Sequence, residues 1–136
     1  MAVGLVIVSH SARLAEGVVE LASQMAGSVR MVAAGGTDDG ELGTSLTKVL
    51  NALFAADSAD GAVVFVDLGS AALVAEMALE QLPSWQQARI RIANAPLVEG
   101  AVVAAVQASV GGSVDEVAAA AEEVTTLDKL ARRRHE

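Results

Sequence analysis

The chain has 136 residues and no cysteine, a single domain's length, which excludes disulfides, zinc ribbons, thiolate nucleophiles and iron–sulfur clusters. With 53% hydrophobic but only 2% aromatic residues, its core has to be built from Ala, Val, Leu and Ile. A formal charge of −8 with scattered Lys and Arg argues against a nucleic-acid partner, because phosphate contacts need a basic surface.

In chain order, Leu5 to Val8 is a short β-branched run that reads as a strand ending on Ser9 and His10. It is far shorter than the ~20 residues of a membrane span, and it lacks the basic flank of a signal peptide. The apolar stretch Val102 to Val110 follows Glu99 and contains Gln107, so a cytoplasmic protein without membrane contact is expected. Next, Leu14, Val18, Leu21 and Met25 fall on one helical stripe, with Gly27 as candidate C-cap. A weaker strand over Val29 to Ala34 runs into the turn-rich GGTDDGELGTS. Thr44 or Ser45 then caps a second helix marked by Leu46, Val49, Leu50 and Leu53.

Val63 to Val66 is the strongest strand, a run that reads as buried on both faces. A third helix carries Leu73, Met77 and Leu82 and is ended by Pro83. In ARIRIANAP, Ile90 and Ile92 alternate with arginines, which places this strand nearer an edge. Helices around Leu97–Val110 and Val114–Leu130 complete the pattern. Strand–helix alternation at this spacing predicts an α/β fold with a mainly parallel sheet and helices on both faces. One domain is expected over residues 1–126, followed by a tail over 127–136. In that tail, Arg132 to Arg134 read as a solvated run and His135 as inert.

Open parallel sheets gather ligands at the carboxyl ends of their strands, near the point where strand order reverses. The strands deliver there Ser9-His10-Ser11, Gly35-Gly36-Thr37-Asp38, Asp67-Leu68-Gly69-Ser70 and Asn94-Ala95-Pro96. If the first and third strands are neighbours, His10 and Asp67 come within reach. A carboxylate on one ring nitrogen fixes the imidazole tautomer and leaves the other free as a nucleophile. Backbone amides at the following helix starts, around Ser11–Arg13 and Ser70–Ala72, would offer an anion site. From the residues alone a second reading stays open, in which His10 is a packed histidine near a helix N-terminus and Asp67 a simple cap.

Other chemistries fit less well. His10 with Asp38, Asp39 and Asp67 has no second histidine at a metal-binding helical spacing. A Ser–His–Asp hydrolase built on Ser9 or Ser70 would lack the G-x-S-x-G elbow. The glycines after the second strand are not a Walker A sequence and read as a surface loop.

Four stretches in order, VIVSHSARLAEGV, AAGGTDDGELGTS, VVFVDLGSA and ANAPLVEGAVVAAV, resemble the phosphotransfer subunit of bacterial dihydroxyacetone kinase. That family is related in fold to mannose-type IIA domains of the phosphotransferase system. Mannose-type domains usually carry Gly after the active histidine and D-L-F-G-G-S-P after the third strand. Here Ser11 follows His10 and the motif is the shorter Asp67-Leu68-Gly69-Ser70-Ala71, which favours the dihydroxyacetone branch.

The resemblance implies an open sheet in strand order 2-1-3-4, with room for a short antiparallel edge strand. It implies a phosphotransferase in which His10 accepts a phosphoryl group from HPr, itself charged through enzyme I from phosphoenolpyruvate. His10 then passes the group to ADP on the nucleotide-binding subunit of the kinase. Asp67 would orient His10, with Ser9, Ser11, Gly69 and Ser70 near the phosphoryl group. Arg13, Thr37 and Leu68 are candidate partner contacts, and Ala12, Leu14 and the Leu42 loop would complete a docking rim. Asp38 and Asp39 would repel a phosphate and so face away or meet a basic partner. No cofactor or metal is needed, and family members are homodimers. Two alternatives remain: a sugar-specific mannose-type IIA domain, and a non-catalytic module that senses phosphorylation state.

Overall fold

A computed structural model describes residues 2–130; Arg132 to Arg134 and His135 lie outside the described residues. The elements run β1 (Gly4–Ser9), α1 (Ala12–Met25), β2 (Met31–Gly35), α2 (Leu46–Ala56), β3 (Ala62–Val66) and α3 (Gly69–Glu80). They continue with α4 (Ser84–Gln87), β4 (Ile90–Ile92), α5 (Leu97–Ser109), α6 (Val114–Glu122) and a closing 3-10 turn (Glu123–Thr126). The sheet has the order β2-β1-β3-β4, and every pairing in it is parallel. Among the described residues no antiparallel edge strand is added.

Side chains alternate across a strand, so each central strand feeds two cores. Leu5 and Ile7 of β1 join Val63 and Phe65 of β3 under α1, α5 and α6. Val6 and Val8 join Ala62 and Val64 under α2 and α3. Since α1 and α3 leave the neighbouring strands β1 and β3 toward opposite faces, the chain parts above these two strands, the switch point of an open sheet.

The helices sit against the sheet on alanine rather than on large side chains. In α1 the buried residues are Ala15, Val18 and Ala22, whereas Leu14, Leu21 and Met25 are 41%, 50% and 59% exposed. The expected stripe is therefore turned by about one residue. In α3, Ala71, Ala75 and Ala78 face the sheet, while Leu73 and Met77 point out. Small side chains let helix and strand backbones approach closely. A Cβ on Gly4 would fall on the carbonyl of Ala56.

The expected α2 face held at Val49 and Leu53, with Leu46 and Leu50 half-buried, and Ser45 is its cap, accepting from the Lys48 amide at 3.1 Å. Three details differ from the sequence reading. Ala26 rather than Gly27 caps α1, with φ −156°. The short helix α4, entered through Pro83, is additional. The last helix stops at Glu122 and tightens into the 3-10 turn.

Candidate active site

Sheet register places the central residues. Val8 pairs with Val66, and the ladder continues with the Asp67 amide donating to the Val8 carbonyl at 3.2 Å. Ser9 and Asp67 are thus the next cross-strand neighbours, and His10 stands one residue beyond the end of β1.

Asp67 receives four hydrogen bonds. His10 Nδ1 lies 3.0 Å and the Leu68 amide 2.7 Å from its Oδ1. The Ser9 hydroxyl and the His10 amide each lie 2.9 Å from its Oδ2. Burial pushes the Asp67 carboxyl up, but these bonds, led by the His10 backbone amide and followed by the His10 ring, Ser9 and Leu68, outweigh it. They hold the carboxyl below its ordinary value of 3.8. An ionised carboxylate only accepts, so His10 Nδ1 carries a proton, and in the neutral ring Nε2 then carries the lone pair. The Ser70 hydroxyl, 2.7 Å from Nε2, is then the donor to it. The His10 side chain is 27% exposed against 12% for Asp67, so the ring is the more accessible member of the pair.

Two helix N-termini flank the ring. In α1, Ser11 is the N-cap and its hydroxyl accepts from the Leu14 amide at 3.1 Å. In α3, Leu68 occupies the cap position with no side-chain cap, and among the described residues the amides of Gly69 and Ser70 make no hydrogen bond. The loop after β2 leans on the same strand end. The Gly36 amide donates to the Ser9 carbonyl at 3.2 Å, and the Gly43 amide to the His10 carbonyl at 2.8 Å. Gly36 and Gly43 have φ of 77° and 138°, left-handed values that favour glycine.

Of the expected site residues, the structure gathers His10, Asp67, Ser9 and Ser70. Ser9, expected beside the phosphoryl group, is fully buried, and its hydroxyl is taken up by Asp67 and by the Ser11 amide at 3.0 Å. Ser11 is engaged as a helix cap, and Gly69 opens α3. The Thr37 hydroxyl accepts from the Glu41 amide at 3.1 Å and staples the loop. Arg13 is exposed on the first turn of α1. Leu42 and Leu68 are 80% and 59% exposed beside the site. Asp38 is tied to the cap serine Ser45. Sequence reasoning missed the Leu68 and His10 amides on Asp67, since backbone donors leave no signal in residue type. Among the described residues no cluster of three or more His, Asp or Glu side chains is placed to hold a metal. No helix there is long and apolar enough to cross a membrane.

A family model described as "PTS system fructose IIA component" (EIIA-man) matches residues 4–118. The chain belongs to the EIIA-man family. Among curated relatives of this EIIA-man chain, the phosphoryl donor subunit DhaM of the PEP-dependent dihydroxyacetone kinase of Escherichia coli is 47% identical over 119 residues. That match covers 85% of this chain but 25% of the relative, so the chain spans about a quarter of its length. A DhaM of Listeria innocua is 39% identical over 116 residues, covering 85% of this chain and 93% of that one. A crystal structure of a protein of unknown function superposes with a TM-score of 0.82 at 35% identity, covering 90% and 95% of the two chains. The mannose/sorbose-specific IIA subunit of Enterococcus faecalis shares the fold, with a TM-score of 0.54 at 23% identity over 100% and 96% of the chains.

Proposed function

We propose that this EIIA-man chain is a phosphohistidine carrier of a dihydroxyacetone kinase system, taking its phosphoryl group from HPr and delivering it to ADP on the kinase's nucleotide-binding subunit. One observation carries the reading: the Asp67 carboxylate lies 3.0 Å from His10 Nδ1, while Nε2 lies 2.7 Å from the Ser70 hydroxyl beside the N-terminus of α3. The relatives named as dihydroxyacetone kinase phosphoryl donors support the choice of system.

In the first step, the Nε2 lone pair attacks the phosphorus of the donor's phosphohistidine. A P–N bond forms on His10 as the donor's P–N bond breaks, and the donor imidazole leaves with its electron pair. His10 keeps its Nδ1 proton, so the phosphorylated ring is cationic and is stabilised by the Asp67 carboxylate. The Ser70 hydroxyl, displaced from the lone pair, turns to donate to a phosphoryl oxygen, and the amides of Gly69 and Ser70 face the same charge. In the second step, a terminal phosphate oxygen of ADP attacks the phosphorus, the bond to Nε2 breaks and the lone pair returns. Partners dock in turn on a rim that includes Leu14, Leu42, Leu68 and Arg13, all exposed. A second copy of the chain is part of this reading, and the more than half-exposed Phe54, Leu73 and Met77 offer apolar surface for it.

The test is to incubate the protein with phosphoenolpyruvate, enzyme I and HPr and weigh it. A base-stable, acid-labile gain of one phosphoryl group is expected, and His10→Ala should abolish it. Discharge by the ADP-loaded kinase subunit supports this acceptor. Discharge only to a sugar permease domain, or no turnover at all, would replace it with the mannose-type or the sensing reading.

A further inference from the structure

We propose that Ser9 is a positioning residue that acts on His10 through Asp67, a role resting on the phosphohistidine reading above. Ser9 is the last residue of β1 and has no exposed surface. A serine hydroxyl has one proton to give. Here its near partners are the Asp67 Oδ2, 2.9 Å away, and the Ser11 amide, 3.0 Å away. The amide can only donate and the carboxylate can only accept, so the hydroxyl proton has a single direction, toward Asp67.

This direction has two consequences for the carboxylate. First, it fixes the rotation of the Asp67 head group. Oδ2 is held by Ser9 and by the His10 amide, which turns Oδ1 toward His10 Nδ1. Second, the chain Ser11 N–H to Ser9 O–H to Asp67 polarises along its length, which makes the hydroxyl a stronger donor than an isolated serine. The arrangement also rests on sheet register, since Ser9 and Asp67 follow the Val8–Val66 pair on the neighbouring strands β1 and β3. The orienting contact therefore lies within the sheet and not in the surface loops. Ser70, by contrast, touches the reacting nitrogen itself and is exposed.

Removing the hydroxyl frees Oδ2 on one side and leaves the Ser11 amide without its acceptor. The Asp67 head group keeps the His10 and Leu68 amides but is held less tightly, which weakens the preference for the Nδ1–H tautomer of His10. A hydrogen bond to a charged group of this kind corresponds to about a tenfold change in rate.

The experiment is a double-mutant cycle on Ser9→Ala and Asp67→Asn, read in two ways. In the unphosphorylated protein, ¹⁵N spectra of the His10 ring report the tautomer without any partner present. With phosphoenolpyruvate, enzyme I and HPr, the rate of phosphoryl uptake is measured. Ser9→Ala should mix the two tautomers and slow uptake by about tenfold, while in the Asp67→Asn background the same change should alter uptake less than about twofold. An unchanged tautomer in Ser9→Ala would overturn the proposal. So would an equal loss in both backgrounds, which is the result expected if Ser9 touched the phosphoryl group directly. If Ser9→Ala does not fold, Ser9→Cys fills similar space with a weak donor and is held to the same two readouts. If the wild-type protein takes up no phosphoryl group, the carrier reading fails, yet the tautomer spectra still decide the role of Ser9.

Discussion

The two helix N-termini beside His10 differ in whether a side chain caps them. At α1, Ser11 caps the helix by accepting from the Leu14 amide, and the Ser11 amide in turn is bonded to Ser9. At α3 the cap position holds Leu68, whose backbone is already extended like an N-cap, φ −126° and ψ 164°, but whose side chain has no oxygen to offer. Only the α1 end has a side-chain cap, and that cap belongs to the scaffold that holds the Asp67–His10 pair; among the described residues the Ala12 and Arg13 amides are as unbonded as those of Gly69 and Ser70. The α3 end lacks a side-chain cap, and its N–H groups and helix dipole favour an anion beside the ring. A cap is worth about 1 kcal/mol, so leaving α3 without one lowers stability where a phosphoryl group would gain.

The largest break in this division comes from the scaffold. Asp67→Asn keeps a side chain of similar shape but can donate to His10 Nδ1, which favours the wrong tautomer; phosphoryl uptake should fall by about a hundredfold or more, measured as initial rate from HPr. The same variant has a pH signature. Because the folded-state pKa of Asp67 lies below its ordinary 3.8, the ionised carboxylate stabilises the fold in full above that value. That contribution is lost as pH falls through the folded pKa. The stability gap between wild type and Asp67→Asn, followed by urea unfolding, should therefore be widest near neutrality and close in acid.

A smaller effect is expected from giving α3 a side-chain cap. Leu68→Ser supplies the missing cap and should raise stability by about 1 kcal/mol. It should also slow phosphoryl uptake by about tenfold if the new hydroxyl takes the Ser70 amide, which the proposed carrier reading assigns to the phosphoryl group. Greater stability with unchanged uptake would show that the α3 amides do not meet the phosphate. At the α1 cap the pattern should reverse. Ser11→Ala should cost about 1 kcal/mol in thermal or denaturant unfolding, with uptake changed by less than about twofold.

Much of this arrangement could be read from residue order. The apolar runs Leu5 to Val8 and Val63 to Val66 announced the two central strands, and polar residues directly after each run marked the strand ends that carry His10 and Asp67. Those features survive because strand burial is encoded locally. Helix faces were harder. Leu14, Leu21 and Met25 form a convincing stripe, yet Ala15 and Ala22 lie on the sheet, because close helix–sheet approach selects small side chains over the most hydrophobic ones. The roles of the serines were hidden for a different reason. Ser9, Ser11 and Ser70 have the same side chain, and only register and helix start decide that one orients a carboxylate, one caps α1 and one faces the reactive nitrogen.

The central claim is that Asp67 reserves Nδ1 and leaves Nε2 to react. Phosphorylate ¹⁵N-histidine-labelled protein through enzyme I and HPr, and record which ring nitrogen of His10 couples to ³¹P. Coupling to Nε2, with a proton retained on Nδ1, is the predicted result. Coupling to Nδ1, or a label on any residue other than His10, would contradict the account.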